Sequence, residues 1–201
     1  FYQCSSLASV TIPDSVTNIG QYAFYNCSSL SSVAIGSDSN IVVGDYAFKD
    51  TNLISLTVDT KDKINFGAGA LENTENTLKT VDFRKSLQVI QGLPDWLAEK
   101  YLCKEESEYC GCRDGYGNTL PASSSHYRCE GCARGRFSVG SQENCSPCLQ
   151  GKYTPNNASS FCIGCPLGKY GIVVGAISDS SCTPCQRGTY NAVPGSRVCQ
   201  L

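Results

Sequence analysis

Nine of the fourteen cysteines fall in one tandem array: Cys129-x-x-Cys132, Cys145-x-x-Cys148, Cys162-x-x-Cys165, Cys182-x-x-Cys185 and then Cys199. After each complete pair comes x-x-Gly-x-aromatic, at Gly135/Phe137, Gly151/Tyr153, Gly168/Tyr170 and Gly188/Tyr190. Four recurrences of this pattern over short loops predict small modules closed by cross-links instead of by a hydrophobic core. Such cross-links persist in oxidising compartments, so the chain is expected at the cell surface or in the extracellular space, reached by the secretory pathway.

From Cys103 onward there are twelve cysteines, an even number. Closing each loop on itself gives Cys132–Cys145, Cys148–Cys162, Cys165–Cys182 and Cys185–Cys199, with Cys103, Cys110, Cys112 and Cys129 pairing among themselves. A staggered scheme, Cys129–Cys145 with Cys132–Cys148 and Cys162–Cys182 with Cys165–Cys185, fits the same spacing, because spacing does not encode connectivity. Each closed loop is worth about 3 kcal/mol in the loop-entropy account. Zinc is the competing reading, since two C-x-x-C knuckles 12 to 16 residues apart satisfy a four-cysteine site. The uniform Gly-x-aromatic and the lack of a basic face favour sulfur bridges, and no thioredoxin-like strand–helix context suggests a redox pair.

Residues 1–92 carry a different repeat, with a period of about 23 residues. Unit one runs Phe1, Cys4-Ser-Ser-Leu7, Val10, Ile12, Pro13, Val16, Ile19-Gly20-x-x-Ala23. Unit two restarts at Phe24 with Cys27-Ser-Ser-Leu30, Val33, Ile35 and Val43-Gly44-x-x-Ala47. Units three and four, from Phe48 and Leu71, keep Leu53, Leu56, Val58 and Leu78, Val81, Phe83 but lose the cysteine. Leu-x-x-Val-x-Ile turns three apolar side chains inward from a short strand, and stacked copies join them into a continuous core. Cys4 and Cys27, one period apart, read as small apolar fillers of a ladder position.

These units resemble the BspA-like class of leucine-rich repeats, whose near-consensus is matched most closely in units one and two. The C-x-x-C-x-x-G-x-Y units resemble ephrin-receptor-like cysteine-rich repeats, with tumour-necrosis-factor-receptor modules as looser cousins. The resemblance implies an exported protein of a microbial eukaryote. The fold class expected is a repeat protein, a short-strand leucine-rich-repeat solenoid followed by a mostly irregular, disulfide-rich array of small β-hairpin modules. The domains expected are the solenoid at 1–102, a cysteine-containing junction at 103–128 and the tandem repeats at 129–201. Leu93, Leu97 and Tyr101 share a face after Pro94, which predicts a helix over 93–102 capping the last rung.

Chemistry is sparse. The one histidine, His126, sits in a Ser-rich stretch and reads as a solvated side chain with no Ser-His-Asp set around it. Glu105, Glu106 and Glu108 form the only dense acidic run and lack the alternating spacing of a calcium loop. Lys plus Arg total 16 against 18 Asp plus Glu, with no basic block for nucleic acid. No apolar run approaches the roughly 20 residues of a membrane helix. The chain begins inside a repeat, which predicts a longer parent. No cofactor, no metal and no enzymatic activity are expected.

Of three sequons, Asn157 is the preferred glycosylation candidate, while Asn26 is weaker because it sits in the solenoid's repeat and Asn144 because its middle residue, Cys145, is expected in a bridge. Outward positions on the strands read Ser9, Ser32, Ser55, Thr80 and Thr11, Ala34, Thr57, Asp82, a candidate binding stripe without the Trp, Tyr or Arg that anchor tight interfaces. The function expected is a structural or adhesive module of a larger cell-surface protein or extracellular filament, forming a stiff rod. Its partners would be proteins, glycans or copies of itself. The rival is a ligand-binding receptor ectodomain, which requires an exposed aromatic and basic cluster on one face.

Overall fold

A computed structural model describes residues 1–36, 40–84, 86–102, 110–141 and 144–201. The chain divides into two compact units: 1–111 with 120–128, and 112–119 with 129–201. Residues 120–128, placed in the junction on sequence grounds, thus belong to the first unit, and 112–119 to the second.

The first unit is a β-solenoid. Its strands are β1 (Ser9–Ile12), β2 (Asn18–Ile19), β3 (Ser32–Ile35), β4 (Ile41–Val43), β5 (Ser55–Val58), β6 (Lys63–Phe66), β7 (Thr80–Arg84) and β8 (Val89–Gln91). Odd strands β1-β3-β5-β7 form one parallel sheet and even strands β2-β4-β6-β8 another. The period of the sequence fixes the register, aligning Val10, Val33, Leu56 and Val81 in one column and Ile12, Ile35, Val58 and Phe83 in the next. Both columns point inward, because side chains alternate along a strand and these are the apolar set. Ile41 stacks on Ile64 and Val43 on Phe66 in the second sheet.

A third side is made by turns, and it too is bonded from rung to rung. Phe24 N–H donates to Ala47 O at 2.8 Å and Phe48 N–H to Ala70 O at 2.9 Å. The rings of Phe24 and Phe48 stack inward at 5.2 Å between centroids, and Phe1, exposed on the first rung, stacks on Phe24 at 5.3 Å. Ala47 and Ala70 are buried beside them, where only a small side chain fits between turn and core.

The end of this sheet is closed differently from the expected helix. The helix α1 spans only Asp95–Ala98 and buries Leu97. Tyr101 lies beyond it in extended chain, its hydroxyl donating to Val81 O at 2.7 Å and its ring 4.9 Å from Phe83. A helix running on to residue 102 gives way to that anchored tyrosine. The open edge of β7 is covered by the strand His126–Tyr127, antiparallel, with Arg84 opposite His126 and Phe83 opposite Tyr127. This strand pairs backbone groups that the free edge of the last rung would otherwise expose.

The second unit is a succession of two-stranded hairpins. Tyr116–Asn118 pairs with Cys129–Gly131, Arg136–Phe137 with Ser146–Pro147, Lys152–Tyr153 with Ile163–Gly164, and Lys169–Gly171 with Cys182–Pro184. The strand after each Gly turn therefore pairs with the middle of the next C-x-x-C. Gly135 and Gly151 reverse the chain at φ +78° and +83°, a region in which a Cβ is strained. A Cβ there would also stand 2.2 Å from Gly175 O and 2.0 Å from Gly195 O. Among the described residues of this unit, the buried hydrophobic side chains are cysteines and Ala176 alone, so sulfur is the core. No helix of the described residues is long and apolar enough to cross a membrane.

Candidate functional site

Five bridges hold the second unit: Cys112–Cys129, Cys132–Cys145, Cys148–Cys162, Cys165–Cys182 and Cys185–Cys199. In each of the last four, the second cysteine of one knuckle joins the first of the next, closing the loop between them as in the local scheme. Their Cα atoms lie 5.6 to 5.8 Å apart. Cys110 is disulfide-bonded too. Cys103 and the acidic run Glu105, Glu106 and Glu108 lie outside the described residues. These ten thiols are joined pairwise, and among the described residues no group of three or more His, Cys, Asp or Glu side chains is placed to hold a metal ion. Each loop also docks on the module before it. Ala158 N–H donates to Cys132 O at 2.7 Å, Gly175 N–H to Cys148 O at 2.7 Å and Gly195 N–H to Cys165 O at 2.8 Å.

Cys4 and Cys27 are free thiols. Cys27 is fully buried, and burial pushes its thiol above the usual range. An inert small filler matches that setting better than a reactive group does.

The stripe of small hydroxyls lies on the first sheet, with Ser9, Ser32, Ser55 and Thr80 in one row and Thr11, Ala34, Thr57 and Asp82 in the next. Ser9, Thr11 and Ser32 are exposed, while Ser55, Thr57, Thr80 and Asp82 are half-buried. Asp82 is not available to a ligand as a bare carboxylate. Arg128 clamps it with two bonds, Nε to Oδ1 at 2.6 Å and Nη2 to Oδ2 at 2.8 Å. In the adjoining row Asp59 accepts from Arg84 Nε at 2.5 Å, and His126 Nε2 lies 3.2 Å from the same oxygen, off hydrogen-bond geometry. His126 is thus a half-buried strand residue, with Nδ1 3.0 Å from Ser125 Oγ, and the reading of it as a solvated loop side chain is corrected. The stripe's far end is a paired charge cluster that pins the edge strand down.

The three sequon asparagines, Asn26, Asn144 and Asn157, are all exposed. Asn157 Oδ1 accepts from Arg134 N–H at 3.2 Å.

A second surface runs along the turns of the solenoid. Aligning the units there gives Gln-Tyr22-Ala-Phe-Tyr25-Asn26, Asp45-Tyr46-Ala-Phe-Lys49-Asp50 and Ala-Gly69-Ala-Leu-Glu72-Asn73. The alanine and phenylalanine (leucine in the last) face inward, so the positions flanking the pair are turned toward the surface. Tyr22 and Tyr46 stack at 5.3 Å, Tyr2 and Tyr25 at 5.3 Å, and Tyr22 meets Tyr25 edge-on at 85°. Tyr22 and Tyr46 hold φ +56° and +55°, uncommon for a side chain of that size. Gly69 takes their place one rung on, at φ +60°. The Tyr46 ring lies over it, with Cε1 2.4 Å from where a Cβ would stand.

Charges line the same edge. Lys49 Nζ sits 5.1 Å from the Tyr46 ring centroid and 2.7 Å from Glu72 Oε1, which holds the ammonium above its usual range. Asn73 Nδ2 donates to Asp50 Oδ1 at 2.5 Å, and the Asp50 carboxylate beside Tyr25 raises that phenol. The tyrosines and Lys49 line a cleft of about 500 Å³. A second cleft of about 500 Å³ continues over Gly67, Gly69, Glu72 and Glu75 to Trp96. Examining the strand faces alone overlooks this cluster; the signal is Gly-x-Tyr-Ala-Phe in two consecutive turns.

Solenoid and bridged hairpins define a repeat protein of an extracellular type. More specifically, residues 1–93 match the BspA type leucine rich repeat region in six copies, and residues 135–182 match the tyrosine-protein kinase ephrin type A/B receptor-like repeat. Rat thyroglobulin is 37% identical over 78 residues, 38% of this chain and 3% of the rat protein. Mouse thyroglobulin is 36% identical over 72 residues, 36% of this chain and 2% of its own length. The chain thus spans a few per cent of the curated relatives it matches. No solved structure matches it. Both repeat types and the five bridges fit an extracellular repeat module.

Proposed function

We propose that this chain is a structural, adhesive module of a cell-surface protein or extracellular filament, with a mechanical and non-enzymatic role outside the cell. The observation that carries the proposal is the chained docking of the second unit. Every loop from Cys148 onward is closed by a covalent bridge and hydrogen-bonded to the knuckle before it. Such a unit cannot lengthen far under tension without breaking a sulfur–sulfur bond. The solenoid supports the same role, since its paired backbone runs continuously through two sheets and a bonded turn edge.

Single-molecule extension of the oxidised chain tests the reading. The segments enclosed by bridges should stay locked until dithiothreitol is added, when further length is released. Equal contour length with and without reductant would remove the mechanical role. A ligand-binding ectodomain is the second reading, favoured by the tyrosine edge of the solenoid.

A further inference from the structure

We propose that the turn edge of the solenoid, from Tyr22 and Tyr46 to Trp96, is a docking track for an extended, arginine-bearing segment of a partner protein. This goes beyond the mechanical role, which needs no such surface.

Three observations point to that occupant. The first is residue type: Tyr and Trp anchor protein interfaces because they combine large contact area with few rotatable bonds. Here tyrosines of adjacent rungs are ordered against each other at 5.3 Å with Tyr22 exposed. The second is charge. Asp45, Asp50, Glu72 and Glu75 stand along this edge against Lys49 alone, four acids to one base and a local balance of −3. Lys49 is neutralised by Glu72 at 2.7 Å, so an incoming cation meets a net negative border. The third is that the rings already accept a cation, the Lys49 ammonium lying 5.1 Å from the Tyr46 centroid.

Shape selects an extended ligand. Tyr46 of the first cleft lies against Gly69 of the second, so an extended segment can run from ring to flat backbone to the indole without entering a closed pocket. Arginine is favoured over lysine because its planar, weakly hydrated guanidinium stacks on aromatic faces, whereas an ammonium keeps its water.

Trp96 is the only tryptophan, so its emission reports on the track directly. The whole chain would be titrated with hexa-arginine and with hexalysine at physiological salt, by fluorescence and by calorimetry. Saturable change in Trp96 emission with hexa-arginine is expected, with hexalysine about tenfold weaker. Tyr46→Gly should weaken hexa-arginine about tenfold, and its backbone precedent is Gly69 in the next rung. A thermal melt checks that this variant folds, and Tyr22→Gly is the second variant should it not. Equal binding of the two peptides, or binding indifferent to both tyrosine variants, reduces the track to bulk charge and overturns the proposal. Calorimetric binding without a Trp96 change, or no binding at all, overturns it too. So does a response to chitohexaose with none to peptide, which would give the edge to glycans.

Discussion

Position 27 shows how narrowly the ladder constrains a side chain. Cysteine occupies it in the second rung, and threonine follows at Thr51 and Thr74. Both threonines close their turn, Thr51 Oγ1 donating to Phe48 O at 2.8 Å and Thr74 Oγ1 to Leu71 O at 2.7 Å. Cys27→Thr should therefore change stability by less than about 1 kcal/mol, while Cys27→Leu overpacks the site and costs about 1–3 kcal/mol. Urea denaturation midpoints compare the two. Tyr127 makes the opposite case. Its ring is fully buried against Phe83 and Tyr101, yet its hydroxyl has no hydrogen-bond partner among the described residues. Tyr127→Phe should stabilise the solenoid by about 1 kcal/mol, since only an unpaired buried group is removed. Burial also raises the Tyr127 phenol well above 10.0. The folded state then holds a proton that the unfolded state releases, so stability is complete below pH 10.0 and falls as the pH climbs above it. The phenylalanine variant should show a flatter alkaline limb in the same denaturation series.

At the scale of elements, regular features were legible and singular ones were not. Val10, Val33, Leu56 and Val81 announce parallel rungs because each repeats the same alternation at the same offset, and register follows from the period. The edge strand His126–Tyr127 offers two residues and no periodicity, so nothing local distinguishes it from a loop. Its assignment depends on Phe83 and on Asp82, the partner of Arg128, which meet it only in three dimensions. The turn-edge tyrosines escape a strand-based reading for a related reason: turn positions that point outward carry no alternation. Bridge pairing was open because both schemes close loops of similar length. Replacing Cys148 and Cys162 together by serine should cost about 3 kcal/mol, the loop of sequence separation 14 being freed in the unfolded chain. Reversible denaturation of the oxidised double variant measures it.

For the whole molecule, two kinds of cohesion divide the chain. The solenoid buries aliphatic and aromatic side chains such as Leu30, Ile41, Phe48 and Leu56, a hydrophobic core that reductant leaves untouched. The second unit buries Cys132, Cys148, Cys165 and Cys182 with almost nothing aliphatic beside them. Amide hydrogen exchange after reduction should accordingly leave β3, β5 and β7 protected while the hairpins beyond Cys129 exchange rapidly. The most direct measurement of the account is peptide mapping of the unreduced protein by mass spectrometry. It should recover fragments linking Cys132 to Cys145, Cys148 to Cys162, Cys165 to Cys182 and Cys185 to Cys199. Recovery of Cys129 linked to Cys145, or of free thiolates released with bound zinc, would contradict it.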